Sequence, residues 1–246
     1  MVIGLDGHII KKIRFILIFF IVRFIFMFYN YLRGDIKDDL VLVNEEHPIS
    51  RWYVPDDLVV VDNNENNFHN YSDPNMKPMV SKRVLINFLK LQKNAFENGY
   101  NIIIDNGYRS YDYQNEMWFI IYNQYLKTLD IKDEVKRTKE AFELTSKRVA
   151  IPGHSEHQTG LAIDIACLRD GIFLEDMTDT DECNWMIDNA YKYGFILRYP
   201  KGKEKITGFM YEPWHYRYVG YPVSLDFYDG KYKTLEEYHK EKKLVL

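Results

Sequence analysis

The sequence predicts a domain of the α+β class, in which helices and strands follow one another without the regular β-α-β rhythm of a parallel sheet. Two observations indicate this class. Apolar residues recur with helical spacing after Ser81, whereas Leu161–Cys167 alternates between two faces as a strand does. The chain has 246 residues, 46% of them hydrophobic, so it can bury one sizeable core. We therefore expect one main domain.

The N-terminal segment predicts a membrane anchor. Residues 13–32 form a largely apolar run, about 30 Å long as a helix, which matches a bilayer core. Arg23 costs about 3 kcal/mol at its centre, but its apolar neighbours together return roughly 4–8 kcal/mol, so insertion is favoured. The run lacks the small residues of a cleavage site, and basic residues precede it, so we expect the N-terminus in the cytoplasm and the domain that follows the run outside the cell. A soluble protein with an amphipathic or buried N-terminal helix is the alternative.

The elements after this segment follow from local patterns. Leu40–Val43 resembles a strand, and the Asn-, Asp- and Pro-rich stretch up to Pro78 predicts an extended wrap over the domain. The next segment predicts a helix that ends at Gly99, with these residues on its apolar face: Val84, Leu85, Phe88, Leu89, Ala95 and Phe96. We expect further helices at 111–127, 133–147 and 181–193, and strands at 100–105, 161–167, 195–199 and 215–219. Thr234 and Glu237 form a capping box that opens a short, exposed C-terminal helix.

Charge and cysteine content limit the kinds of partner and site that the chain can have. The formal net charge is −4, which gives no indication of a nucleic-acid partner. Cys167 and Cys183 are the only cysteines, and outside the membrane they could form a disulfide. Cys167 has the same strand parity as Ile163 and Ile165, which favours a buried thiol instead. The spacing of the two cysteines is not that of metal ligands.

A first motif, in residues 152–164, offers candidate metal ligands. His157 precedes a bend at Gly160, and Asp164 follows on the predicted strand. Asp164 shares its strand face with Ala162 and Ala166, which leave room for a metal and a substrate. A carboxylate on a buried strand needs a partner, so the alternative is an aspartate that is hydrogen-bonded to a loop.

A second motif adds Glu212 and His215, three residues apart. Two histidines, an aspartate and a glutamate are what a catalytic zinc site requires, namely three nitrogen or oxygen ligands and a general base. By alternation, His215 lies on the strand face opposite to Trp214 and Tyr216. On its own, a histidine among aromatic residues is more often a structural residue than a ligand.

A third motif places Arg109 at a predicted strand-to-helix turn. A planar guanidinium binds a carboxylate through two hydrogen bonds, as recognition of a free peptide C-terminus requires. Taken alone, an ordinary surface arginine is the more frequent explanation for this motif.

Together the motifs resemble the signature of the D-alanyl-D-alanine carboxypeptidase family of zinc peptidases, above all its VanY type. The resemblance rests on Ser155-x-His157-x-x-Gly160-x-Ala162-x-Asp164 followed by Glu212-x-Trp214-His215. Segments 107–114, 194–200 and 212–220 are also similar to that type, and the similarity covers about residues 40–221. It implies the compact zinc D,D-peptidase fold, shared with the signalling domain of hedgehog proteins, in which helices flank an antiparallel sheet.

The resemblance also implies roles for individual residues. It implies one zinc ion per chain, a general base and a substrate site, with these residues: His157, Asp164 and His215 as zinc ligands, Glu212 as the base, Arg109 as the group that binds the terminal carboxylate, and Ser155 and Gln114 in the substrate site. His154 matches no ligand of the family and is interpreted as a loop residue. Asn106 stands where relatives often have serine, so a substrate contact there is not expected.

The resulting prediction is a membrane-anchored zinc D-alanyl-D-alanine carboxypeptidase that removes the terminal D-alanine from peptidoglycan stem peptides. The expected divisions are 1–33 for the cytoplasmic N-terminus and signal anchor, 34–80 for linker and wrap, and 81–246 for the catalytic domain on the cell-wall side of a bacterial membrane. An L,D-carboxypeptidase or an endopeptidase of the same fold is one alternative. A non-catalytic, zinc-containing wall-binding domain is another.

Overall fold

The computed structural model describes residues 39–62, 77–169, 172–174 and 177–242, the segment 172–174 by its backbone alone. Within these residues, no helix combines the length and apolar character that a membrane span requires. The anchor predicted at 13–32 lies outside the described residues, as do most of the predicted linker and part of the predicted wrap.

Strands and helices alternate irregularly along the described chain. The strands are β1 Leu58–Val60, β2 Met79–Ser81, β3 Ile102–Asn106, β4 Ala162–Arg169, β5 Ile172–Leu174, β6 Phe195–Leu197 and β7 His215–Tyr218. The helices are α1 Lys82–Glu97, α2 Tyr111–Thr128, α3 Glu134–Arg148, α4 Asp181–Asn189, α5 Glu204–Thr207, α6 Val223–Tyr228 and α7 Leu235–Lys242. The helix predicted over 181–193 is shorter, because its last turn, Ala190–Tyr193, is a 3-10 helix that ends at Gly194.

Antiparallel pairing joins all strands of the main sheet, which confirms the predicted α+β class. The strand order is β3-β4-β7-β6, and β5 pairs with the end of β4. Strands β1 and β2 form a separate two-stranded sheet. In the main sheet Asp164 of β4 lies opposite His215 of β7, so their side chains are neighbours on one face.

The other face of β4 lies on the core. Leu161, Ile163 and Ile165 are buried there, together with four residues of α1: Val84, Phe88, Leu91 and Ala95. These four residues define the buried face of α1, and Leu91 lies at the centre of that face. The expectation that Leu89 and Phe96 belong to the buried face is therefore wrong, and their exposed fractions are 50% and 72%.

Cys167 extends the same alternation and is buried as a free thiol, which confirms the interpretation based on strand parity. Cys183 is also buried and free, so the two cysteines form no disulfide.

A second apolar cluster joins the two ends of the described chain. Leu42 packs there with Val219, Leu235 and Tyr238, among others. The strand predicted at 40–43 does not form: residues 41–43 are buried, and the carbonyls of Leu40 and Val41 bind the side chains of His239 and Arg217. The capping box at the start of α7 is confirmed, since Glu237 N–H donates to Thr234 Oγ1 over 3.2 Å. The helix is not simply exposed, because one of its faces belongs to this cluster.

Gly107, directly after β3, lies where a side chain does not fit. A Cβ atom there would come within 2.2 Å of the Met79 carbonyl oxygen. We expect Gly107→Ala to lower the free energy of unfolding by roughly 3 kcal/mol, because backbone on both sides must move. Gly202→Ala is the control: that residue has φ +83° and no neighbour within 4 Å, so only about 1 kcal/mol of backbone strain is expected. Urea unfolding measures both, and equal losses would contradict the close packing at Gly107.

Candidate active site

Three structural elements bring the predicted metal ligands together. Asp164 and His215 are direct cross-strand partners on β4 and β7. His157 lies in a 3-10 turn, Glu156–Thr159, which ends at Gly160 in the left-handed conformation, φ +69°. Glycine adopts this conformation without strain, so the chain can turn from His157 straight into β4. The histidine, aspartate and histidine are all buried, and their candidate ligand atoms lie within 4.8 Å of one another.

The hydrogen bonds of the histidines indicate which atoms face a metal. His157 Nδ1 lies 2.7 Å from the Gly107 carbonyl oxygen, so it carries the proton and leaves Nε2 as the acceptor. His157 Nε2 lies 3.4 Å from Asp164 Oδ2, and His215 Nδ1 lies 3.1 Å from Asp164 Oδ1. His157 Nε2 and Asp164 Oδ1 are buried without a hydrogen-bond partner among the described residues. Two imidazole nitrogens and a carboxylate, with buried lone pairs turned toward one point, fit a zinc ion.

The charges around the two histidines differ. Burial and the nearby positive charge of Arg109 lower the pKa of His157 to about 4, so this imidazole is neutral. Burial alone would lower the pKa of His215 as well. The carboxylates of Asp164 and Glu156 outweigh that effect and raise the pKa to about 9. The site thus collects negative charge around His215 and favours a cation there.

Glu212 lies beside the ligand cluster. Its Oε2 is 3.6 Å from His215 Nδ1, and its backbone N–H donates to the Tyr199 carbonyl over 3.2 Å. Burial raises the pKa of Glu212 to about 7, although the positive charge of His215 opposes this shift. A carboxyl group with a pKa near neutrality can both accept and return a proton, as a general base must.

Arg109 contacts the cluster directly. Its Nη2 donates to Asp164 Oδ2 over 3.0 Å, and its Nη1 donates to Gln114 Oε1 over 3.2 Å. Gln114 in turn donates to the Ala150 carbonyl over 2.7 Å. The structure therefore brings Gln114 to Arg109, which it holds in place.

A small pocket opens in front of the cluster. It brings together Arg109, Ser155 and Glu212 with the two histidines, and Arg148, Tyr199 and Phe209 complete much of its wall. His154 lies outside this lining, and its Nδ1 is 2.9 Å from the Asn44 carbonyl oxygen. Asn106 donates to the neighbouring Asp105 over 2.7 Å.

Sequence reasoning missed a group of buried charges behind His215. Glu156 is bonded to Arg198 and Arg217, and the side chains of all three are fully buried. Strand parity placed Arg217 on the face of His215, which was the available signal. Glu156 is 42 residues from Arg198 and 61 residues from Arg217 along the chain, and no local pattern relates positions so far apart.

Comparison with known proteins agrees with this geometry. The family model of VanY, D-alanyl-D-alanine carboxypeptidase, matches residues 77–221. The chain belongs to the VanY family. The Bacillus subtilis (strain 168) protein YodJ, provisionally named a carboxypeptidase, is 39% identical over 207 residues, which are 84% of this chain and 68% of that protein.

Two solved structures are also similar to this chain. A variant of the vancomycin-resistance D,D-pentapeptidase VanY, in complex with Zn(II), is 33% identical with a TM-score of 0.64, covering 81% of this chain and 98% of that one. The L,D-carboxypeptidase LdcB is 37% identical with a TM-score of 0.64, covering 82% of this chain and 86% of that one. With this family and the His-Asp-His cluster, the chain is a zinc metallocarboxypeptidase, as its motifs predicted.

Proposed function

We propose that this VanY-family chain removes the terminal D-alanine from peptidoglycan stem peptides. The observation that carries the proposal is the placement of three kinds of group around one pocket: the His-Asp-His cluster, the carboxylate of Glu212 and the guanidinium of Arg109. The family description and the D,D-pentapeptidase relative support a substrate that ends in D-alanyl-D-alanine.

Each group has a defined part in hydrolysis. His157, Asp164 and His215 would hold the zinc ion, which supplies Lewis-acid activation of water and of the scissile carbonyl when bound. Glu212 takes a proton from the attacking water and passes it to the leaving amine. Arg109 binds the carboxylate of the terminal residue and so places the last peptide bond next to Glu212.

Product analysis tests the proposal. The zinc-loaded chain is incubated with stem pentapeptide, stem tetrapeptide and a cross-linked dimer, and the products are identified by mass spectrometry. We expect release of one D-alanine from the pentapeptide, with the tetrapeptide and the cross-link left intact. A chain that leaves the pentapeptide uncut would contradict the proposal.

An L,D-carboxypeptidase is the second candidate. It is supported by LdcB, which is more similar in sequence than the D,D-pentapeptidase, at 37% against 33% identity. Cleavage of the tetrapeptide alone in the same experiment would establish this activity in place of the first.

We also propose that residues 13–32 anchor the enzyme in the cell membrane as a single span, with the catalytic domain on the cell-wall side. The apolar run and the basic residues before it support this topology. Cell fractionation tests it, with extracellular protease added to intact protoplasts. We expect the chain in the membrane fraction and its domain cleaved from outside; a protected or fully soluble chain would contradict the anchor.

A further inference from the structure

The carboxylate of Glu156, directly before His157, has no part in the mechanism above. Its side chain is fully buried. Oε1 accepts hydrogen bonds from Arg198 Nε and from Arg217 Nη1, each over 2.8 Å. A buried ion pair is costly to desolvate and is a weak source of stability by itself. The position of Glu156 behind the candidate metal site therefore calls for a functional explanation.

The second oxygen of Glu156 faces a candidate zinc ligand. Glu156 Oε2 and His215 Nε2 lie 3.8 Å apart. Both atoms are buried without a hydrogen-bond partner among the described residues. On the opposite edge of the imidazole, His215 Nδ1 faces Asp164 Oδ1 at 3.1 Å. The ring is thus held between two carboxylates, one on the metal side and one behind it.

A further carboxylate completes the arrangement from the C-terminal helix. Arg198 Nη1 and Nη2 donate to the two oxygens of Glu236 over 2.9 and 2.6 Å. Glu236 lies on α7, beyond the residues 77–221 that the family model matches. Arg217 is the fourth member, so two glutamates and two arginines balance in charge. The other donors of Arg217 bind backbone carbonyls: Nε binds Tyr218, and Nη2 binds Asp39 and Val41.

We infer that Glu156 is a positioning residue for His215, and that Glu236 of the C-terminal helix keeps it in place through Arg198. Glu156 Oε2 is the carboxylate oxygen that faces His215 Nε2, so it would favour the tautomer with the proton on Nε2, and Nδ1, which faces Asp164, would then be the nitrogen that holds the metal. A carboxylate behind a metal-binding imidazole fixes both its tautomer and its orientation. The inference rests on the proposed function only in taking His215 as a zinc ligand.

The inference predicts graded effects on metal binding. Glu156→Gln keeps the size of the side chain but removes its charge, and we expect zinc affinity to fall roughly 10- to 100-fold. Glu236→Gln removes one of the two carboxylates that pair with Arg198 and leaves Glu156 in place, so a smaller loss of about fivefold is expected. Glu241→Gln is the matched control, because Glu241 lies on the same helix and accepts from Tyr232 over 2.8 Å, away from Arg198.

The experiment measures the metal site apart from turnover. Zinc affinity of the full chain is measured by competition with a chromophoric chelator, and the visible spectrum of the cobalt-substituted chain reports the ligand geometry. Thermal unfolding of the metal-free chain shows whether a variant is merely less stable. We expect Glu156→Gln to change the cobalt spectrum, and the control to match the original chain in all three measurements.

Distinct outcomes would overturn the inference. One is that Glu156→Gln and Glu236→Gln both bind zinc within twofold of the original chain and leave the cobalt spectrum unchanged. Another is a control variant that loses as much affinity as Glu236→Gln. If Glu156→Gln does not fold, the zinc affinity of Glu236→Gln tests the inference, because this substitution removes a charge at the edge of the buried group of glutamates and arginines. An original chain that binds zinc but releases no D-alanine would contradict the proposed function and leave this inference intact.

Discussion

Glu212→Ala is expected to lower kcat roughly 10³- to 10⁴-fold while the chain still binds one zinc ion. The reason is position: Glu212 Oε2 lies 3.6 Å from His215 Nδ1, close to the metal cluster but outside the His-Asp-His set. Removing it takes away the group that accepts the proton of the water and leaves the three ligands untouched. Steady-state kinetics on stem pentapeptide and metal analysis of the purified variant measure the two effects.

Glu212→Gln is the matched variant, because it keeps the volume of this buried side chain and removes only the ability to take up a proton. We expect it to lose turnover about as completely as Glu212→Ala, with the same zinc content. A kcat within tenfold of the original value in either variant would contradict the assignment of Glu212 as the general base. Loss of zinc together with activity would make Glu212 a ligand instead.

Arg109→Ala is expected to lower kcat/KM at least 100-fold on peptides with a free C-terminal carboxylate, because a charge-assisted hydrogen-bonded pair is lost. On the same peptide with an amidated C-terminus, the variant and the original chain should be equally slow. The comparison matters because Arg109 also donates to Asp164 over 3.0 Å. An equal loss on both peptides would mean that Arg109 serves the metal site and does not recognise the substrate.

Arg148 offers a control for the Arg109 experiment. It is an arginine of the same pocket wall, at the end of α3. We expect Arg148→Ala to keep the original preference for the free carboxylate. If Arg148→Ala loses this preference and Arg109→Ala keeps it, Arg148 is the residue that binds the substrate carboxylate.

Local sequence patterns predicted correctly those features that depend on the periodicity of a single strand or helix. Alternation along β4 correctly separated Asp164 from the core residues Ile163 and Ile165. Alternation along β7 also placed His215 and Arg217 on one face, and both side chains approach Glu156. The boundaries of α1, α2 and α3 agree with the predicted ones to within about two residues, since caps and glycine mark helix ends.

Contacts between distant segments were not predictable in the same way. The set formed by Glu156, Arg198 and Glu236 is assembled from three segments, and no local period relates them. Gln114 lies in a recognised motif, and its hydrogen bonds to Arg109 and to the Ala150 carbonyl could not be predicted from that motif. Orientation within a site depends on tertiary neighbours, which a motif does not specify.

If residues 13–32 anchor the enzyme as proposed, the docking of Asp39 on the domain limits how far the pocket can lie from the membrane. Its carboxylate pairs with Arg83 over 2.8 Å, and its carbonyl accepts from Arg217, so the chain is already fixed to the domain at this residue. With residues 13–32 in the bilayer, as proposed, residues 33–38 form the whole tether, which extends to roughly 20 Å at most. The catalytic pocket would then remain close to the outer surface of the membrane, and only stem peptides near that surface would be within its reach.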